Sequence, residues 1–169
     1  MKKLLLGLVI GICLPIVAGY LFVRLGGLPV PTKSPPLPLE KAIAKIALHA
    51  AMDREAGRPS PLAADEPNLL AGAKVYQTQC AVCHGVLGQR ESAIAMGMFP
   101  RPPQLLPPKK GVTDDPVGEI YWKVKNGIRL TGMPGFGESL SDTELWQVSL
   151  LLLHANQLPE SASPILRGP

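Results

Sequence analysis

A chain of 169 residues and 18.0 kDa holds one domain with extensions and leaves no room for a large two-domain enzyme. At 46% hydrophobic and 18% charged residues it is too apolar for a wholly disordered protein, while 5% aromatic residues are too few to fill a core unaided. The net charge of +4 is uneven: residues 1–61 carry eight basic against three acidic residues, residues 62–161 carry eight against ten, and that mildly acidic body argues against nucleic acid as a partner.

The N-terminus opens with Lys2 and Lys3, then runs uncharged for 20 residues from Leu4 to Val23 before Arg24. Two readings stand. Residues 1–27 form a retained transmembrane anchor, since the apolar run has spanning length, or they form a leader cleaved near Val17-Ala18-Gly19. Either way the rest of the chain is exported, and the lysines ahead of the span keep the N-terminus in the cytoplasm. The expected location is a bacterial cytoplasmic membrane, single-pass, with the body on the periplasmic side. Cys13 lies inside the run and reads as an apolar buried thiol. Residues 28–38 carry prolines 29, 31, 35, 36 and 38 and read as a semi-rigid linker. Leu39, Ile43, Ile46, Ala47 and Ala50 then recur at helical spacing, so residues 39–57 are expected as an amphipathic helix whose stripe packs on its own domain or on a partner protein. His49 on that helix has no companion ligands and reads as a surface or packing histidine. Residues 58–65 form a second linker.

Asn68 is placed to cap a helix through Leu69, Leu70, Ala73 and Tyr76 that delivers Cys80-Ala81-Val82-Cys83-His84 at its end. This spacing attaches c-type haem: two thiols add across the vinyl groups and the adjacent imidazole binds the iron. The rival readings fit less well. A thioredoxin-like dithiol wants a strand-helix-strand frame, a zinc site wants more ligand pairs than 3 cysteines supply, and a plain disulfide leaves His84 unexplained. There is no glycine-rich phosphate loop, no Ser/His/Asp arrangement and no acidic pair placed for hydrolysis.

Downstream, prolines 100, 102, 103, 107 and 108 stiffen a loop from Phe99 to Pro108. Asp115-Pro116 starts a helix that carries Val117, Ile120, Tyr121 and Val124 and stops at Asn126-Gly127. The capping box Ser141-Asp142-Thr143-Glu144 opens a strongly apolar last helix that ends near Pro159, with Trp146 expected to meet Gly72 or Tyr76. Residues 66–160 are the expected domain and residues 161–169 a C-terminal tail.

The block Gly72 to Tyr76, the motif Cys80 to His84 with Gly85, and the later Asn126-Gly127-Ile128 with Met133-Pro134-Gly135-Phe136 resemble the class I, mitochondrial-like c-type cytochromes over about residues 66–158. The resemblance implies an all-α cytochrome c fold, with three main helices around one covalent haem c. Here that fold is preceded by a transmembrane helix, a proline-rich stalk and one amphipathic helix. It also implies that the Met133 sulfur is the sixth iron ligand opposite His84. By the same likeness the carbonyl of Pro103, in competition with Pro100 and Pro102, accepts the proximal histidine's other ring nitrogen. Met96 and Met98 read as gap fillers and His154 as a packing or surface residue.

Closed His and Met coordination leaves no site for oxygen or peroxide, so the expected role is to pass single electrons at a relatively high potential. Arg129, Tyr121, Trp122 and Arg101 are candidates to meet the haem propionates, and Lys109, Lys110, Lys123 and Lys125 to form a docking face. The expected function is a membrane-tethered monohaem carrier between redox protein donors and acceptors of a periplasmic or respiratory chain. Two alternatives stand beside it: a haem-bearing subunit of a larger respiratory or dehydrogenase complex, and a peroxidase-like or gas-sensing haem protein.

Overall fold

Residues 2–168 are described by a computed structural model, and every regular element in them is helical. The helices are α1 (Lys2–Arg24), α2 (Glu40–Ala56), α3 (Glu66–Val75), α4 (Ala81–His84), α5 (Ala93–Gly97), α6 (Val117–Asn126), α7 (Asp142–Leu153) and α8 (Ser163–Arg167). The chain divides into two compact units, residues 1–42 and 43–169.

In the first unit the uncharged run folds as α1, 23 residues with a mean hydropathy of 2.5 over its most apolar window. At 1.5 Å per residue this is about 35 Å, long enough to cross a bilayer. Its large apolar side chains are exposed. The proline-rich stretch after it has no regular helix, because Pro fixes φ and removes donors.

In the second unit the core forms where α7 crosses α3 and α6. Tyr76, Tyr121, Leu145, Trp146, Val148 and Leu151 are fully buried there. Ser149, the buried polar exception, donates to the Leu145 carbonyl one turn back (2.7 Å) and so leaves no unsatisfied hydroxyl. The Ser141–Glu144 capping box forms as expected, with the Ser141 N–H donating to the Glu144 carboxylate (2.9 Å) and the Glu144 N–H to the Ser141 hydroxyl (3.3 Å).

Several expectations are corrected. The helix before the haem motif is capped by Asp65, not Asn68: the Asn68 N–H donates to the Asp65 carboxylate (3.1 Å), and Pro67 fits the first turn because the missing N–H there has no helical partner anyway. Trp146 stacks on Tyr121 at 4.1 Å and 16°. What faces Gly72 is the backbone of α7, since a Cβ there would stand 2.7 Å from the Gln147 carbonyl carbon. The last helix ends at Leu153, well short of Pro159. The expected tail instead turns back as a 3-10 turn (Glu160–Ala162) and α8, burying Ala162 and Leu166 completely and accepting the Leu87 N–H at the Leu166 carbonyl (2.9 Å).

The apolar stripe of α2 does not pack on its own domain, with Ile43 62% and Ile46 70% exposed. The helix joins the domain by its C-terminal end. Met52 is buried there, and a Cβ at Gly118 would stand 3.1 Å from the Glu55 carbonyl carbon and 3.0 Å from the Arg58 oxygen. The Arg58 guanidinium lies over the stacked rings, 5.0 Å from Tyr121 and 5.2 Å from Trp146, and pairs with Glu55 at 3.3 Å.

Candidate haem site

Between α3 and α4 the helix continues without a break through a π turn, Tyr76–Cys80. A single π turn inside a helix shifts the register of the residues beyond it and is common at functional sites. Here it ends on Cys80 and precedes Cys83 and His84, and all three line one cleft. The run stops at Gly85, whose φ of +82 suits glycine and whose missing Cβ leaves room for the Gln104 side chain, with Cδ 2.9 Å from where that Cβ would stand. The buried Tyr76 hydroxyl donates to the Gly85 carbonyl (2.7 Å), tying the start of the motif helix to its end.

Among prolines 100, 102 and 103, the carbonyl of Pro103 faces the histidine: His84 Nδ1 donates to it at 2.8 Å. That bond fixes the tautomer, because a carbonyl only accepts, and it leaves the Nε2 lone pair free for a metal. Burial lowers the His84 pKa from the ordinary histidine value, opposed by the Pro103 carbonyl, so the neutral ring that coordinates iron is favoured. Burial likewise pushes the Cys80 thiol up to about 12, with Cys83 adding to the effect, so Cys80 is a thiol at neutral pH.

Met133 lines the same cleft from a loop that leaves α6 at Gly127. The loop folds back tightly: Gly127 has φ +67, and a Cβ there would stand 2.8 Å from the Met133 carbonyl oxygen. The Thr131 hydroxyl donates to the Ile128 carbonyl (2.7 Å) and accepts the Met133 N–H (3.1 Å), while the Phe136 and Gly137 N–H groups return to the carbonyls of Val124 and Lys125 (both 2.9 Å).

Leu105, Val124, Ile128, Phe136 and Leu152 contribute the apolar wall of the cleft. A haem supplies the core volume that few aromatics leave unfilled. The donor set fits it: two thiols, an imidazole with one nitrogen free, and a thioether around one apolar space. The rival readings of residues 80–84 find no support. Cys80 and Cys83 are not bonded to each other, and among the described residues no three His, Cys, Asp or Glu side chains gather as a metal-binding group and no strand is present.

The propionate candidates fall differently. Arg101 lines the cleft, within 3.4 Å of Glu91, but Arg129, Tyr121 and Trp122 do not. Tyr121 is buried on Trp146, its hydroxyl donating to Asp142 and accepting from Lys125 (3.0 Å). Of the lysines, Lys123 is paired with Asp115 (2.7 Å) and Lys110 with Asp114 (2.8 Å). Sequence reasoning set Met98 aside as a filler, yet it lines the cleft beside Met133; its only sequence signal was the Met-x-Met pair near the proline loop.

Residues 67–150 match the family model described as cytochrome c oxidase, cbb3-type, subunit III. The chain is 33% identical over 82 residues to a cytochrome c6 of Limnospira maxima, a match covering 48% of this chain and 86% of that protein. Among solved structures, one chain of the reducing HAO-like protein complex of Kuenenia stuttgartiensis is similar with 27% identity and a TM-score of 0.46, over 56% of this chain and 46% of that one. The protein spans under half of that chain. Taken with the cleft, the family match and the cytochrome c6 likeness place the protein in the class I c-type cytochromes, electron-transfer proteins that here carry one covalent haem c on Cys80 and Cys83.

Proposed function

We propose that the protein is a membrane-tethered electron carrier in which His84 and Met133 are the two axial ligands of the haem iron. The observation that carries this reading is the convergence of both side chains, with Cys80 and Cys83, on one apolar cleft. The haem, when bound, supplies an iron that alternates between ferrous and ferric by one electron. His84 presents Nε2 because Pro103 holds Nδ1, and the Met133 thioether is held inward by the Thr131 turn. A neutral thioether and a poorly solvated wall both disfavour the extra charge of the ferric state, so a relatively high potential is expected. The α1 helix tethers the carrier to the cytoplasmic membrane with the haem unit on the periplasmic side, near membrane-bound donors and acceptors. In the ferric protein a sulfur-to-iron charge-transfer band is expected, lost in Met133→Ala with gain of carbon monoxide binding in the ferrous state. A wild-type protein without that band, binding carbon monoxide rapidly, would overturn the assignment and favour a catalytic or sensing haem.

A second reading, a haem-bearing subunit of a larger respiratory complex, is favoured by the exposed Ile43 and Ile46 of α2 and by the oxidase-subunit description of the matching family. Recovery as a free monomer under several mild detergents would rule out a stable assembly.

A further inference from the structure

One short segment touches the walls that carry both proposed ligands. Met98 and residues 100–103 line the cleft; at one end the Pro103 carbonyl holds His84, and at the other Met98 lies on Gly132, the residue before Met133. A Cβ built at Gly132 would fall against Met98 Cε and 3.6 Å from its Sδ, and apart from its chain neighbours nothing else comes within 4 Å of it among the described residues. The φ of Gly132 lies outside the left-handed region, so the backbone does not demand glycine there. The Met98 methyl fills the space a side chain there would take and, as the end of a flexible chain, is what a Cβ would push aside.

The tip of the turn that Met98 touches is exposed. Leu130 is 92% exposed and adopts φ +62, an unfavourable conformation for a leucine, and Gly132 itself is exposed. The base of the turn is held by hydrogen bonds, with the Thr131 hydroxyl on the Ile128 carbonyl (2.7 Å) and the Ile128 N–H on the Met133 carbonyl (3.2 Å), whereas at Gly132 the contact is Met98. We propose that Met98 is a positioning residue for Met133: its flexible thioether side chain packs against the turn at Gly132, keeps the Met133 sulfur turned into the cleft and narrows the route by which small molecules reach the iron. This rests on Met133 being the axial ligand. An external ligand that displaces Met133 binds in proportion to the fraction of open turn, so loosening the clamp raises its apparent affinity.

The test titrates free imidazole into the ferric full-length holoprotein and follows the sulfur-to-iron charge-transfer band. Met98→Ala is expected to bind imidazole about tenfold more tightly, equal to ~1.4 kcal/mol in turn opening. Gly132→Ala is expected to act in the same direction, because its methyl displaces Met98 Cε. In the double variant the new methyl occupies the space that truncation of Met98 leaves, so affinity returns toward wild type rather than summing. Met98→Leu, close in volume, stays within about twofold of wild type. Met96→Ala, at a residue 56% exposed and away from the cleft, changes nothing. Equal imidazole affinity in wild type, Met98→Ala and Gly132→Ala, or additive effects in the double variant, would overturn the clamp while leaving the axial assignment standing. Absence of the band in wild type would instead remove the assignment itself, and the clamp with it.

Discussion

Replacing Gly72 by alanine tests the crossing that closes the haem domain. The added Cβ would lie 2.7 Å from the Gln147 carbonyl carbon and 3.1 Å from Leu151 Cβ, where ordinary contact begins near 3.4 Å. The obstacle is the backbone of α7, which cannot rotate aside, so α3 and α7 must part by a good fraction of an ångström along a fully buried seam. Overpacking of this kind costs about 1–3 kcal/mol, against a gain of about 0.5–1 kcal/mol from alanine's better helix propensity. The net loss of about 1–2 kcal/mol lowers Tm by roughly 5–15 °C for a domain of this size. Thermal unfolding of the holoprotein followed by far-UV circular dichroism measures it. Gly97→Ala is the control, because a Cβ there meets nothing within 4 Å. A Gly72→Ala protein that melts at or above the wild-type temperature would refute the close approach.

Ser141→Ala removes the hydroxyl that accepts the Glu144 N–H and is expected to destabilise α7 by about 1 kcal/mol in a urea titration. The Glu144 carboxylate is held below its ordinary range by the Ser141 hydroxyl and then by the Ser141 N–H. Its contribution is therefore present above the unfolded value and lost as pH falls through the lower folded one; the urea midpoint should fall on acidification below about pH 4.5, and less steeply in Glu144→Gln. Tyr121→Phe is expected to lose about 1 kcal/mol, from its hydrogen bonds to Asp142 and Lys125, with the reduction potential unchanged in voltammetry; a large shift in potential would return Tyr121 to the haem environment.

What the sequence made legible was local. The Cys80 to His84 spacing, the Ser141–Glu144 box and the Asp115-Pro116 start each encode their geometry within a few residues, and each forms in the structure. The Asn68 cap was misplaced by three residues, although Asp65 followed by Glu66-Pro67 carried the right signal. The partner of Trp146 was illegible, because α7 is apolar on most of its faces and periodicity does not say which one Tyr121 takes. The C-terminal segment looked like a tail because α8 packs on α3 and the π turn, far upstream in sequence. The candidate ligands and thiols could be read from motifs. The Met98–Gly132 contact could not, since it pairs two loops with no periodic pattern.

The attachment of α2 has a practical consequence for dissecting the molecule. The family match begins at residue 67, yet Met52 is 1% exposed and Arg58 caps the Tyr121–Trp146 rings. A recombinant fragment trimmed to the homology boundary would strip that cover and leave the aromatic pair facing water. One trimmed within the prolines, ahead of α2, keeps the stack sheathed.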